Sequence, residues 1–444
     1  MTTIFCAIGQ GGNQINEEFW KIAQKENAAT KEFCDQNGKA HCLLVDSEPK
    51  VIQAALRSPC GAMFRSNNII YEQSGRGNNW AMGYHSNAGD TEIDEESTCI
   101  AGRTMLAFRK EIERLDWFQA CILSQSLSGG TGSGLGSRIM EDIRHKYPRQ
   151  YIVSVAVAPF LMGDTPLQHY NSMLSLSWLQ KYADCIMLFQ NDEVSKTVSK
   201  MCSSVGPGST KASEKGPPRT TMQDMNQYIA SCLAGVLFPV KEGGHYRPPD
   251  IGNLTTNVCP MQSCKFIELF TAPFLSRHVR ATSSQHLVRD LSAAVPLYDL
   301  TQRQILNIST QVTFRGVGAL ECGLLPPNFR PRQPIVATLR PKPKILQLFP
   351  PVSWNPVAYD FLLSAADAFP GHSIASSVTV SSNRTSVASL LDHILGRVHT
   401  MYESKAYLHW YTKYGCSEET FKESFSTAQG VIESYEEAFD KNDD

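Results

Sequence analysis

The chain has 444 residues, of which 42% are hydrophobic and 19% charged, with 30 glycines and 24 prolines. This excludes a disordered, collagenous or coiled-coil chain and suits two or three domains sharing a large core. A formal net charge of −2 supplies no field that would hold a polyanion, so nucleic acid is not an expected partner.

The first half alternates short apolar runs with helical patterns, which predicts βαβ units and a largely parallel sheet. The predicted strands are Thr3 to Ile8, Cys42 to Val45, Ala120 to Ser124, Ile152 to Ala158 and Cys185 to Phe189, each apolar on both faces. Ligands of such sheets bind beyond the carboxyl ends of the strands. After the first strand comes Gly9-Gln-Gly-Gly-Asn-Gln14, where Gln14 replaces the third glycine of a dinucleotide fingerprint. The second strand runs into Asp46-Ser-Glu48, two carboxylates able to hold a magnesium ion beside phosphates, or a solvated turn. Gly75-Arg-Gly-Asn-Asn-Trp80 is a further glycine-rich turn.

Ser126-Leu-Ser-Gly-Gly-Thr-Gly-Ser-Gly-Leu-Gly136 follows a strand and precedes a helical pattern from about Arg138. Its glycines admit a phosphate, and helix-start N–H groups with the Thr131 and Ser133 hydroxyls offer donors. It lacks the lysine of a Walker A loop.

Gly206 to Thr220, rich in Gly, Pro, Ser and Lys, predicts a mobile loop. Met225, Ile229, Cys232, Leu233, Val236 and Leu237 then recur at helical spacing until Pro239, predicting a joining helix. Between Lys241 and Pro370 mixed runs predict an α+β region, and prolines across Pro326 to Pro351 exclude a long helix there. The basic set Arg330, Arg332, Arg340, Lys342 and Lys344 reads as solvated surface. Two amphipathic helices close the chain, one from Val387 to Tyr402 with Asn383, Thr385 or Ser386 as N-cap, the other from Phe421 to Phe439. The acidic residues from Glu433 to Asp444 are expected to fray.

Thirteen cysteines, odd in number and never spaced C-x-x-C, read as reduced thiols; Cys259 and Cys264 have no companions at zinc-ligand spacing. Met1 to Ile8 lacks a basic leader, and no apolar run reaches about 18 residues, so neither a signal peptide nor a membrane span is expected.

Taken together, Gly-Gln-x-Gly-Asn-Gln-Ile at 9 to 15, Val45-Asp-x-Glu-Pro49, Gly77-Asn-Asn-Trp80, Gly129-Gly-Thr-Gly-Ser-Gly134 and Ala406-Tyr-Leu-His-Trp-Tyr411 resemble the tubulin family over nearly the whole length. Val45-Asp-Ser-Glu-Pro-Lys50, Ser177-Trp-Leu179 and Ser404 to Gly415 are most similar to its delta branch. The resemblance implies an α/β, tubulin-like fold: a GTP-binding Rossmann-like domain at 1–220, a connecting helix at 221–240, an intermediate α+β domain at 241–382 and C-terminal helices at 383–444.

It also implies a site for GTP or GDP with Mg2+. Gly9, Gln10, Gly11 and Gln14 would line the phosphates, Asp46 and Glu48 would stand near the metal, and Gly77 and Asn78 would meet the terminal phosphate. Gly129, Gly130, Thr131 and Gly132 would form the cradle, with Ser126 and Asp164 beside the sugar. Asn191 and Asn226 would read the base. Departures from the alpha and beta subunits are Ser128 for a glycine, Gln168 for a ribose-binding glutamate and Met222 for a tyrosine stacked on guanine. Family members complete hydrolysis with an acidic loop of the next subunit. The matching loop here retains Asp250, while Asn253 falls where alpha-tubulin has its catalytic glutamate, so any GTPase activity is expected to be weak.

Implied partners are other tubulins (alpha and beta, with epsilon as a further one), microtubule ends and centriole or basal-body proteins, in the cytoplasmic cytoskeleton. The residues alone leave open a dinucleotide-dependent enzyme, for which Asp46 fits and Gln14 does not. They also leave open a GTP switch that never polymerises.

Overall fold

The computed structural model describes residues 3–85, 99–163, 165–203, 220–242, 245–247, 250–274, 284–324 and 343–440. The five predicted strands form as β1 (Thr3–Ile8), β2 (Cys42–Asp46), β4 (Ala120–Ser126), β5 (Tyr151–Ala158) and β6 (Cys185–Gln190), with β3 (Ile69–Tyr71) added at one edge. The region after the joining helix contributes a small hairpin, β7 (Val240–Glu242) with β8 (His245–Arg247), and the longer strands β9 (Phe266–Ala272), β10 (Asn307–Arg315), β11 (Tyr359–Ser364) and β12 (Ser377–Arg384).

Ten of these strands form one sheet in the order β11-β10-β12-β9-β6-β5-β4-β1-β2-β3. From β3 to β9 every pair is parallel, with Ala7 level with Ser124 and Leu44 in neighbouring strands. β12 runs antiparallel to both β9 and β10. Successive residues of β1 feed opposite cores, Phe5 and Ala7 one, Ile4, Cys6 and Ile8 the other, which is why both faces of the strand are apolar.

On the first face lie the helix Gly9–Ala23 and the joining helix Met222–Leu237, around a cluster of Phe5, Phe19, Trp20, Phe33 and Phe238 with ring centroids 5.1–6.4 Å apart. The joining helix starts at a capping box, Thr221 with Asp224, and its last carbonyls at Gly235 and Phe238 accept from the buried Arg315. On the second face lie Gly136–Lys146, Gln168–Tyr182 and the closing helices.

The C-terminal region departs from expectation in three ways. A short helix, Leu408–Lys413, stands between the two long ones, Ser386–Glu403 and Glu418–Asp440. Thr385 occupies the N-cap position without capping; its hydroxyl accepts from Leu306 N instead. The acidic end stays helical to Asp440 because Ile432, Tyr435 and Ala438 are buried, and Tyr435 OH donates to Asn383 Oδ1 at 2.8 Å. Buried cysteines such as Cys6, Cys42, Cys121, Cys185 and Cys232 are free thiols. The predicted loop at Gly206, apart from Thr220, and the arginines at 330, 332 and 340 with Lys342 lie outside the described residues.

One charge pair fastens the second half. Arg384, with no exposed surface, bonds Glu268 Oε2 at 3.0 Å between the rings of Phe270 and Phe349, and Ser386 donates to the same carboxylate. Arg384→Leu leaves that carboxylate buried without its cation and is expected to cost about 3–5 kcal/mol. The double variant Arg384→Leu with Glu268→Leu should recover most of this loss in urea unfolding.

Candidate functional site

Four turns meet at the carboxyl ends of β1, β2 and β4. Gly9, the first residue after β1, has φ of +71°, and a Cβ there would lie 2.7 Å from Gly132 N. The first turn and the cradle therefore touch backbone to backbone, which an L side chain would prevent. The short helix Trp80–Tyr84 meets the cradle in the same way: a Cβ on Gly83 would be 2.1 Å from Gly130 O. Asn79 caps that helix, accepting from Ala81 N and Met82 N. After Gly130 the chain makes a π-helical turn, Thr131–Leu135, before the helix Gly136–Lys146, so the helix begins earlier than the sequence pattern suggests.

This geometry brings most of the expected residues together. Gly129 faces open space, where a Cβ would meet only Asn78 Oδ1, 3.9 Å across the gap. Thr131 Oγ1 and Ser47 Oγ lie 2.5 Å apart, tying the cradle to the carboxyl end of β2. Asn226, in the joining helix, donates to Gln14 Oε1 at 3.5 Å, and Met222 stands one turn earlier, half exposed. Asn191 opens the next helix directly after β6, where Asp192 accepts from Leu161 N at 2.8 Å. Ser126 Oγ pairs with Ser128 Oγ at 3.1 Å. Gln168 turns inward and donates to Phe160 O. Asp164 lies outside the described residues.

Asp250 and Asn253 lie elsewhere. Asp250 caps the helix Ile251–Val258 by accepting from Asn253 N, and Asn253 Nδ2 donates to its other oxygen at 2.7 Å. Gln119 donates to Asp250, and Gly252 packs on the Tyr151 ring, so this loop sits at the amino ends of β4 and β5. The cradle sits at their carboxyl ends, a strand length of about 20 Å away.

Two buried asparagines brace these turns, Asn13 from within the first turn and Asn171 from outside every motif quoted above. Asn13 Nδ2 donates to Gly9 O and Val45 O, bracing the first turn against β2. Asn171 Nδ2 donates to Asn78 O and Ser128 O, both at 2.7 Å, joining two glycine turns. The sequence offers Asn171 only as one polar residue among several in the first turn of a helical run.

Asp46 is buried, and among the described residues neither it nor Glu48 forms an ion pair. Burial pushes the Asp46 carboxyl up to about 6. A buried carboxyl with no cation of its own, next to a second carboxylate and a phosphate-type turn, is a donor set that fits a divalent ion. In metal-free protein the neutral acid is favoured by the fold, a contribution complete below pH 3.8 and lost as pH rises through about 6. Asp46→Asn is therefore expected to stabilise the metal- and nucleotide-free chain by about 2 kcal/mol at pH 7.5 and by little at pH 3.5, read from unfolding midpoints.

The sequence model of the Tubulin/FtsZ family GTPase domain matches residues 2–199. Full-length relatives include the tubulin delta chains of Homo sapiens, 26% identical across 98% of this chain and 99% of the relative, and of Canis lupus familiaris, 27% identical over the same shares. The tubulin beta chain of Aspergillus fumigatus is 25% identical across 98% of this chain and 94% of the relative. The glycine turns just described all lie within the matched residues, and the likeness to tubulin chains continues to the closing helices: the chain resembles the tubulins over its whole length, with residues 2–199 matching the GTPase domain of the Tubulin/FtsZ family.

Proposed function

We propose that this chain is a GTP-binding tubulin of the delta type, a structural component of centrioles, basal bodies and the triplet microtubules of cilia and flagella. The observation that carries the reading is the opposition of two ends. The phosphate-type turns gather at the carboxyl edge of the parallel strands, while Asp250 and Asn253 sit about a strand length away at the amino edge. Such a subunit can complete a nucleotide site only on a neighbour stacked head to tail, the heterologous contact that builds filaments. This favours a polymer subunit over a free-standing switch or a dinucleotide enzyme. Its partners are then other tubulins and microtubule ends, in the cytoskeleton. No helix among the described residues is long and apolar enough to cross a membrane.

In the nucleotide site, the N–H groups of Gly9, Gln10, Gly11 and of Gly129 to Gly132 bind the phosphates, with Gln14 alongside and the Thr131 hydroxyl as a further donor. Gly77 and Asn78 meet the terminal phosphate. Ser126 stands at the sugar, and Asn191 and Asn226 each present a donor and an acceptor to the guanine edge. Asp46 and Glu48 would hold a magnesium ion, which would neutralise phosphate charge.

Toward the neighbour's nucleotide, Asp250 and Asn253 orient a water. The Asp250 carboxylate already accepts from Asn253 N and Nδ2, and an asparagine amide is no useful base, so hydrolysis is slow. Asn253→Glu is expected to raise polymer-coupled phosphate release severalfold; no change would remove this loop from the chemistry.

The site itself is tested by denaturing purified protein and identifying the released nucleotide. Stoichiometric GTP or GDP, reduced about tenfold by Thr131→Val and by Asn226→Ala, is expected. A nicotinamide dinucleotide, or no nucleotide with magnesium and GTP supplied, would refute the reading.

A further inference from the structure

Asn171 has no exposed surface, yet all four of its side-chain hydrogen-bonding positions are filled. Its amide protons go to Asn78 O and Ser128 O, each at 2.7 Å. Its oxygen accepts from Trp80 N at 2.9 Å and from Tyr411 OH at 2.7 Å. A flipped amide would set oxygen against two carbonyls and NH2 against the Trp80 N–H, so the arrangement has one orientation. Asn78 and Ser128 belong to the two turns on either side of the open gap at Gly129, and Trp80 begins the helix that packs on Gly130.

The fourth partner comes from a distant part of the chain. Tyr411 is fully buried in the helix Leu408–Lys413, whose neighbours Tyr407 and Trp410 are 43% exposed. The segment is held to the helix Gln168–Tyr182 by few polar bonds. Tyr411 reaches Asn171, and Tyr170 OH donates to Ala406 O at 3.1 Å, with the two rings 5.3 Å apart. Lys405 and Tyr407, at φ of +53° and +60°, hold left-handed conformations on the way into it.

We propose that Asn171 is a positioning residue of the nucleotide site and that Tyr411, bonded to it, makes nucleotide retention depend on the seating of the Leu408–Lys413 helix. The inference rests on the nucleotide-site reading above. Two carbonyls drawn onto one amide fix the spacing of the turns at Asn78 and Ser128. Tyr411 fixes that amide, so seating the helix and filling the site favour one another, and linkage makes the effect reciprocal.

Tyr411→Phe keeps the buried ring and deletes only the hydroxyl, leaving Trp80 N on the Asn171 oxygen, so the chain should fold. Guanine nucleotide is expected to dissociate from it about five- to tenfold faster, the effect of one neutral hydrogen bond. Asn171→Asp, which puts oxygen against both carbonyls, should release nucleotide faster still.

Hydrogen exchange supplies a readout that a merely structural role would not move. Adding GDP should slow exchange of the amides of 407–414 in the wild-type chain and much less in Tyr411→Phe. Nucleotide retained by the wild type, weakened by Thr131→Val but released at the wild-type rate from both new variants, with 407–414 indifferent to GDP, would overturn the inference alone. A wild-type chain that holds no guanine nucleotide would overturn the site reading and this inference together.

Discussion

The site depends on backbone meeting backbone at one edge of a parallel sheet. Gly9 against Gly132 and Gly83 against Gly130 leave no room for a β-carbon, so the first turn, the cradle and the Trp80 helix form a single layer of peptide groups. Amide side chains then fix that layer where side-chain bulk cannot: Asn13 ties Gly9 to Val45, and Asn171 ties Asn78 to Ser128. A surface built in this way offers N–H groups in quantity and few charges, which suits a ligand that brings its own negative charge.

The two edges of the sheet differ in chemistry as much as in position. At the carboxyl edge, turns rich in glycine expose donors beside the buried Asp46. At the amino edge, Asp250 is consumed in capping its own helix and in bonding Asn253. The sheet is the rigid spacer between them, and its length makes any shared chemistry a matter between two molecules.

Much of this is legible in the sequence, and the reason is periodicity. β1, β2, β4, β5 and β6 are covered on both faces, so each appears as an unbroken apolar run, and glycine turns punctuate them. β3, three residues long, is too short to carry a pattern. The Leu408–Lys413 helix leaves no stripe because it buries only Tyr411. The persistence of helix to Asp440 is hidden by acidic residues on its outer face, while Tyr435 and Ala438 hold the inner one. Asn171 is illegible for a different reason. Its role consists of accepting and donating across positions 78, 80, 128 and 411, separations that no local spacing encodes.

Where β6 passes to β9, the ten-stranded sheet narrows to two registered residue pairs, Ile186 with Phe266 and Met187 with Ile267. On either side, β5 meets β6 and β9 meets β12 over at least five pairs. A ribbon clamped broadly at both ends and narrowly in the middle concentrates torsion at its waist. Bending of the sheet would be taken up there first, by rotation about four residues, with the glycine turns on one side of the waist and the buried Arg384 pair on the other.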